Sequence, residues 1–204
     1  MDIGGGQELA IEFVNTLAHD GHGGVADLLD SADSAAAWLA EHGVSSDGAS
    51  PGVIESVRRV RLAARSVFAS AVAPLPASRA DDGRPRMPVD EALTVLQDAV
   101  DALAPRTAYR LGDAGITAVR TSDASSDVVA AGILGLSVLE FLAGPAAVDL
   151  RACQAPRCVR YFVKRHGRQE WCKESCANRA RVARHAERQR LAHESGASLP
   201  STGK

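Results

Sequence analysis

Four cysteines set the strongest constraint on how this chain can fold. They lie within 24 of the 204 residues, at Cys153, Cys158, Cys172 and Cys176, and the sequence contains no other cysteine. Their spacing is two short pairs, CxxxxC and CxxxC, separated by 13 residues. Because two short pairs bring four thiolate donors together with little loss of chain entropy, the spacing predicts a structural zinc site, with an iron–sulfur cluster as the alternative.

Other uses of the cysteines fit the sequence less well. A thioredoxin-type redox pair has two residues between its cysteines, and neither pair here does. Disulfides require an oxidising compartment, whereas MDIGGGQELA lacks a signal-peptide pattern and no apolar run is long enough to span a bilayer. We therefore expect a cytoplasmic protein with no membrane partner. His166 and His185 are substitute ligands, but four thiolates complete a tetrahedral shell without an open catalytic position.

Charge is divided unevenly along the chain. Residues 1–150 carry 10 Lys and Arg against 21 Asp and Glu, net −11, whereas residues 151–190 carry 12 against 3, net +9. The basic segment suits a polyanionic partner. The alternative is that its arginines pair with the acidic N-terminal part. The residues expected to contact nucleic acid lie at a turn and on one helix face: Lys164, Arg165, Arg168, Arg181, Arg184 and Arg188.

Most of the chain shows apolar residues at three- and four-residue spacing, which predicts a mainly α-helical fold. Proline, glycine and serine mark the helix ends. Strands at 107–111 and 116–121 flank a GDAG turn and predict a short β-hairpin. The helices are expected over 8–18, from Ser31 or Asp33 to Gly43, from Pro51 to before Pro74, between Pro88 and Pro105, and from 127 to the Gly144-Pro145 stop, with a loop before Pro51 and a mobile connection over 74–88.

The cysteine segment predicts a small domain of its own. VRYFVKRHGRQEW alternates Val159, Tyr161 and Val163 before His166-Gly167, which predicts a hairpin turning at that dipeptide. The second cysteine pair opens a helix and places both thiols on one face. Two pairs, a hairpin and a helix predict a treble-clef-like zinc finger. We expect a multihelical domain over residues 1–148 (the helical domain), the zinc finger over 149–193 (the finger) and a disordered tail over 194–204.

Four polar residues lie in the first predicted helix or directly after it: Glu12, Asn15, Thr16 and His19. They are candidates for a small-molecule site that senses a signal. The alternative, which we favour, is a structural network that bonds neighbouring helix ends and loops, because buried Asn and Thr side chains are usually satisfied in this way.

The sequence also resembles a known family. WCKESCANRARVARH is similar to the CGNR zinc finger, in which Trp-Cys is followed by Cys-Gly-Asn-Arg and a basic helix, and LAIEFVNTLA resembles the DFVNT opening of the ABATE domain. The resemblance implies zinc on the four cysteines and a stress-induced bacterial transcription regulator. Ala177 stands where the family has Gly, and Glu12 where it has Asp. Gln169 and Glu170 replace the family's usual basic residues and weaken the local positive field.

These features together predict a transcription regulator that binds nucleic acid, with duplex DNA preferred, through the finger. The helical domain would act as sensor or oligomerisation part, and a homodimer is a further expectation. The alternative is a zinc-stabilised protein-interaction module, in which Tyr161, Phe162 and Trp171 pack between finger and helical domain. Asn178 and Arg179 are expected to have structural roles near the metal site. No enzyme is expected, since GILGLS and GGGQE lack the Lys and Ser/Thr of a phosphate loop.

Overall fold

The computed structural model describes residues 6–22, 24–44, 50–72, 81, 83–113 and 115–196. These residues form a mainly α-helical protein with three separate two-stranded antiparallel sheets, which confirms the predicted fold class. The helices are α1 Gln7–Val14, α2 Ala32–Glu41, α3 Pro51–Ala71, α4 Val89–Leu103, α5 Ser126–Ala143 and α6 Glu174–Gly196. The strands are β1 Leu17–His19, β2 Val25–Asp27, β3 Arg106–Gly112, β4 Gly115–Thr121, β5 Leu150–Ala152 and β6 Tyr161–Val163.

The residues that mark helix ends in the sequence do so in the structure. Ser31 caps α2 by accepting a hydrogen bond from the Ser34 backbone N–H, and Ser50 does the same for α3 through Val53. These hydroxyls satisfy donors that a first helical turn leaves unpaired. Helix α4 follows Pro88 directly, and α5 ends where Gly144 leaves the helical conformation. The predicted bounds of α2 to α5 are therefore confirmed to within a few residues.

Helix α5 is central in the helical domain, as its apolar sequence predicts. It packs against α1, α3 and α4 and buries Leu134 and Phe141. Phe141 stacks on Phe68 of α3 with ring centroids 5.4 Å apart, and Tyr161 of β6 meets the Phe68 ring edge-on at 5.5 Å. The aromatic side chain of a strand in the finger is thus part of the core of the helical domain.

A close approach of α4 and α5 makes Gly132 sensitive to substitution. A Cβ at this position would lie 2.5 Å from Leu103 Cβ and 2.9 Å from the Ala99 carbonyl oxygen. We expect Gly132→Ala to lower the free energy of unfolding by about 1–3 kcal/mol, because a methyl group would be forced into a packed contact. Urea denaturation measures this. Gly52→Ala is the matched control, since only Ser50 Oγ, at 3.7 Å, lies within 4 Å; equal effects would contradict the close approach.

The first helix is shorter than predicted. Helix α1 ends at Val14, and Leu17–His19 forms β1, which pairs with β2 in register Leu17↔Asp27. The prediction of one helix over 8–18 is therefore wrong. The cause is the buried Thr16, whose hydroxyl donates to the Phe13 carbonyl at 2.8 Å and accepts from Arg61 Nη1 at 3.0 Å. A side chain that bonds the last turn in this way competes with continuation of the helix.

The predicted β3–β4 hairpin is confirmed, with Leu111 paired to Ile116 next to the turn. Tyr109, Leu111 and Ile116 share one face of this hairpin, because they occupy alternate or directly opposed positions. Their exposed fractions are 74%, 84% and 74%. The hairpin thus extends an apolar face into solvent.

Parts of several predicted segments lie outside the described residues: 45–49 of the loop before Pro51, 74–80 and 82 of the connection, and 197–204 of the tail. Helix α6 continues to Gly196, beyond the expected start of the tail at residue 194. The division at 148/149 stays a prediction. None of the helices in the described ranges combines the length and apolarity needed to cross a membrane.

Candidate functional site

The first cysteine pair lies in the loop of a small antiparallel hairpin. Strands β5 and β6 pair in register Leu150↔Val163 and Ala152↔Tyr161, and the chain between them carries Cys153 and Cys158. The Cys153 N–H donates to the Arg160 carbonyl at 2.9 Å, and the Cys158 N–H donates to Ala155 at 3.0 Å. This tight turn needs a left-handed residue, and Arg157 supplies it with φ +62°.

The strand partner in the finger differs from the prediction. A turn does exist at His166-Gly167, where the Gln169 N–H donates to the His166 carbonyl at 3.0 Å. The residues after it are not a strand, however, and β6 pairs with the upstream β5 instead. The predicted hairpin around His166-Gly167 is therefore wrong. Strand β5 is only three residues long, Leu-Arg-Ala, which is too short for an alternation of apolar and polar residues to identify it.

The second cysteine pair lies where α6 begins. Cys172 precedes the helix by two residues, and Cys176 is in its first turn, with its N–H donating to the Lys173 carbonyl at 3.0 Å. Ala177 is helical and is not among the described residues with positive φ. A methyl group in place of the family's glycine is thus accommodated without backbone strain.

The two pairs bring four sulfur atoms together at distances that fit one tetrahedral zinc ion. All four lie within 4.8 Å of one another, with Cys158–Cys172 and Cys158–Cys176 at 3.8 Å and Cys172–Cys176 at 3.5 Å. A tetrahedron with Zn–S bonds of about 2.3 Å has edges of about 3.8 Å. Disulfide bonds do not join these four sulfurs, and an iron–sulfur cluster would spread them around several metal atoms.

The closeness of four ionisable thiols makes the site favourable for a cation. Hydrogen bonds with the thiols of Cys153 and Cys172 lower the pKa of Cys158. The bond with Cys158 raises the pKa of Cys153, and bonds to Cys153 and Cys158 raise that of Cys172. Four thiolates this close repel one another unless a divalent cation neutralises them. Zinc binding therefore releases protons, and its affinity falls at low pH.

Arg179 and a few apolar side chains surround the sulfurs. Arg179 Nη2 donates to Cys176 Sγ at 3.2 Å, as expected of a group that stabilises a thiolate. Phe162 and Trp171 pack against the cluster. Asn178 is exposed and accepts from Arg181 Nη1 at 3.2 Å, so its contact is with the basic helix rather than with a sulfur. His166 and His185 are exposed and do not belong to the cluster.

The finger is fixed to the helical domain along β6. Asn15 Nδ2 donates to the Tyr161 carbonyl and Asn15 Oδ1 accepts from the Tyr161 N–H, both at 2.9 Å. The Arg160 carbonyl and the Lys164 N–H form their hydrogen bonds on the β5 side of β6. The N–H and carbonyl of Tyr161 therefore face the opposite edge of β6. The Asn15 amide thus pairs with that edge as a neighbouring strand would. Tyr161 is 2% exposed.

The four polar residues considered as a ligand site make contacts within the protein. Glu12 Oε2 lies 3.2 Å from His42 Nε2, and His19 Nδ1 accepts from the Gly21 N–H at 2.7 Å. Asn15 holds β6, and Thr16 joins α1 to Arg61. These contacts favour the structural network. Ligand binding by these residues stays an untested prediction.

The structure separates the predicted nucleic-acid residues into two groups. Arg181, Arg184 and Arg188 line one surface groove on α6, together with Glu187. Arg165 lines a cleft against α1, where its Nη2 is 3.9 Å from Glu8 Oε1. Lys164 is half-buried and Arg168 is exposed in the same loop. Only α6 therefore presents several of these arginines on one continuous face.

Sequence reasoning missed the arginines of α3. Arg58, Arg61 and Arg65 follow one another at spacings of three and four, and Arg61 and Arg65 are each 6% exposed. Arg65 Nη1 donates to the Val14 carbonyl at 2.7 Å, and Arg65 Nη2 to Val159 of the finger at 3.0 Å. The sequence did contain a signal for them. These arginines recur at positions of an amphipathic helix that are normally apolar and buried, which indicates buried arginine side chains.

Comparison with family models agrees with this architecture. Residues 7–153 match the ABATE model, described as "Putative stress-induced transcription regulator", and residues 150–189 match the CGNR zinc finger model. The first match covers well over half of the chain. The second includes all four cysteines, which supports zinc as the ion they bind. No significant match to a curated protein is found.

Proposed function

This chain belongs to the ABATE family and carries a CGNR zinc finger, and from this we propose that it is a transcription regulator that acts in the cytoplasm by binding duplex DNA through the arginine face of α6. The observation that carries the proposal is the exposed arginine face of this helix. Every residue from Arg181 to Glu194 is exposed, whereas Cys176 and Ala180 are buried at the metal site. The zinc site therefore anchors one end of a helix whose Arg181, Arg184 and Arg188 side chains are exposed to solvent.

The dimensions and charges of α6 suit the major groove. An α-helix with its side chains is about 10–12 Å across and the groove about 12 Å wide. Arg181, Arg184 and Arg188 lie on one side over about 10 Å of helix, at a rise of about 1.5 Å per residue. Guanidinium groups at such intervals contact phosphates and guanine edges. This supports duplex DNA over single strands, whose recognition relies on stacking aromatics.

Glu187 lies in the same groove and opposes an anionic partner, but its charge is engaged elsewhere. Arg190 Nη2 donates to Glu187 Oε1 at 2.6 Å, and Arg190 Nε donates to Oε2 at 3.1 Å. The hydrogen bond from Arg190 lowers the pKa of Glu187, so the pair is ionised and close to neutral. The net charge offered by the groove is then that of three arginines.

The protein-interaction alternative has one specific observation in its favour, the docking of β6 on the helical domain. Tyr161 belongs to the core of the helical domain, whereas Phe162 and Trp171 pack on the zinc side. The finger docks on the helical domain through β6. The described salt bridges of α6 stay within that helix, where they join Arg190 to Glu187 and Glu194. The contacts therefore support docking by one half of the finger and leave the arginine face of α6 for a partner.

The test replaces Arg181, Arg184 and Arg188 together by glutamine in zinc-loaded protein. We expect duplex affinity to fall at least about tenfold and the slope of log K against log salt to become shallower by about 2–3, because each phosphate contact contributes about 0.9. Fluorescence anisotropy at several salt concentrations measures both, with single-stranded DNA and RNA alongside.

The matched control replaces three exposed arginines of the helical domain, Arg59, Arg106 and Arg110, and changes the net charge equally. We expect little change in its duplex binding. Equal losses in the two triple variants would mean that net charge, not the helix face, attracts the DNA. Absent or salt-independent binding by the unaltered, zinc-loaded protein would contradict the proposal and favour a protein partner.

A further inference from the structure

An arginine-lined cavity lies between α3 and the segment before α4. Its volume is about 160 Å³, and Arg58, Arg61, Arg65, Arg84 and Arg86 line it together with Asp81. Leu17, Leu62 and Pro85 complete its walls. At about 30 Å³ per water, this volume equals about five water molecules, the size of a small organic or inorganic ion.

The cavity has more positive than negative charge. The charge of Arg61 is balanced by Asp27, whose Oδ2 accepts from Arg61 Nη2 at 2.7 Å. Burial opposes ionisation of Asp27, but the hydrogen bond from Arg61 lowers its pKa. Asp81, with a side chain 4% exposed, meets Arg65 at 2.6 Å, Arg86 at 3.5 Å and Arg84 at 3.7 Å. Five arginines against these two carboxylates leave three positive charges among the described residues. Low-dielectric walls focus that field into the cavity.

Two of the arginines have N–H groups to offer a ligand. Arg84 Nε is buried and has no hydrogen-bond partner among the described residues, since Asp81 Oδ1 at 3.7 Å is beyond hydrogen-bonding distance. Arg58 uses Nε and Nη2 on the Leu29 carbonyl, which leaves its Nη1 outside that contact. A buried donor without an acceptor is unfavourable, and an oxyanion would satisfy it.

We propose that this cavity binds a small oxyanion, a carboxylate or a phosphate, between Arg84, Arg86 and Arg58. Planar guanidinium groups match the paired oxygens of both ligand types, and the apolar walls accommodate a short carbon chain. Such a site would be the signal input of the helical domain. It is distinct from Glu12, Asn15 and His19, and it includes Leu17, which directly follows Thr16.

The cavity shares two residues with the contact that holds the finger. Arg65 donates to the Val159 carbonyl, next to the zinc ligand Cys158, and its guanidinium carbon lies 5.3 Å from the centre of the Tyr161 ring. The Tyr161 hydroxyl donates to Asp81 Oδ2 at 3.3 Å. An anion that pairs with Arg84 and Arg86 releases Asp81 to Arg65 and Tyr161. Binding would therefore tighten β6 on the helical domain.

The test titrates zinc-loaded, full-length protein with inorganic phosphate and, separately, with malonate, at an ionic strength fixed by sodium chloride. We expect calorimetric binding with Kd of about 1 mM or lower for at least one anion, and a rise in melting temperature that grows with its concentration. Phosphate alone, malonate alone or both would identify the ligand type. Heats and melting temperatures equal to those in chloride would overturn the proposal.

Variants locate the site and test its connection to the finger. We expect Arg84→Gln and Arg86→Gln each to weaken binding about tenfold. Arg59→Gln, on the exposed side of α3, should bind normally. The two variants are read separately, so that one remains if the other fails to fold, and normal binding by a folded one would overturn the site. Anion should also slow amide exchange in residues 159–163; unchanged exchange despite binding would overturn the coupling. None of these readouts depends on DNA.

Discussion

Replacing Cys176 by serine should remove zinc from the protein and unfold the finger. Cys176 is fully buried, lies 3.5 Å and 3.8 Å from two other sulfurs and accepts from Arg179. Metal binding contributes about 10–16 kcal/mol to the folding of zinc-finger peptides, and serine is a poor zinc ligand at neutral pH. We expect less than one zinc per chain, together with loss of amide protection from residue 150 to about residue 180, while α3 to α5 remain protected.

The control for this variant is Phe162→Leu, which alters packing beside the sulfurs and leaves all four in place. It should retain one zinc per chain, measured by elemental analysis against protein concentration. If C176S also retained one zinc and a protected finger, the four-thiolate site would be wrong. Loss of metal from both variants would show that packing rather than ligation controls affinity.

The second large effect is expected at Arg65. Its guanidinium joins α1, Asp81 and the finger through three hydrogen bonds, and its side chain is 7% exposed. Arg65→Met removes these bonds and leaves the buried Asp81 with the Tyr161 hydroxyl and the two more distant arginines. Breaking a buried pair from one side costs about 3–5 kcal/mol. We expect the lower end of that range in urea denaturation, because Arg84 and Arg86 remain near Asp81.

Two further variants separate the causes of this loss. Arg59→Met, on the exposed side of the same helix, should change the free energy of unfolding by no more than about 0.5 kcal/mol. Adding Asp81→Asn to Arg65→Met should restore part of the loss, because it removes the buried charge. A loss of under about 1 kcal/mol in Arg65→Met would contradict a structural role for the ion pair.

The sequence predicted what local chemistry determines. The ends of α2 to α5 were predictable from residue type alone. Two serine hydroxyls cap helix starts, and the backbone preferences of proline and glycine mark the other ends, at Ser31, Ser50, Pro88 and Gly144. The four cysteines were likewise identified by spacing, because short ligand pairs leave few other arrangements. These features depend on residues fewer than about twenty-five positions apart.

The predictions that failed depend on distant residues. The end of α1 is fixed by Thr16 and Arg61, 45 residues apart, and the partner of β6 is a three-residue strand without a pattern of its own. The arginine cavity combines α3 with Asp81 and residues 84–86, and its ion pairs depend on how those parts of the chain fold together. A single sequence contains no signal for such pairings beyond the arginine stripe on α3.

The contact between Asn15 and Tyr161 also orders events during synthesis. Asn15 is synthesised 146 residues before Tyr161, and Arg65 is synthesised 94 residues before Val159. Domains near the N-terminus generally fold first as the chain emerges. The nascent helical domain therefore already presents an amide and a guanidinium when β6 appears. Strand β6 is thus received by a prepared surface, and the metal site is completed only after the helical domain has emerged.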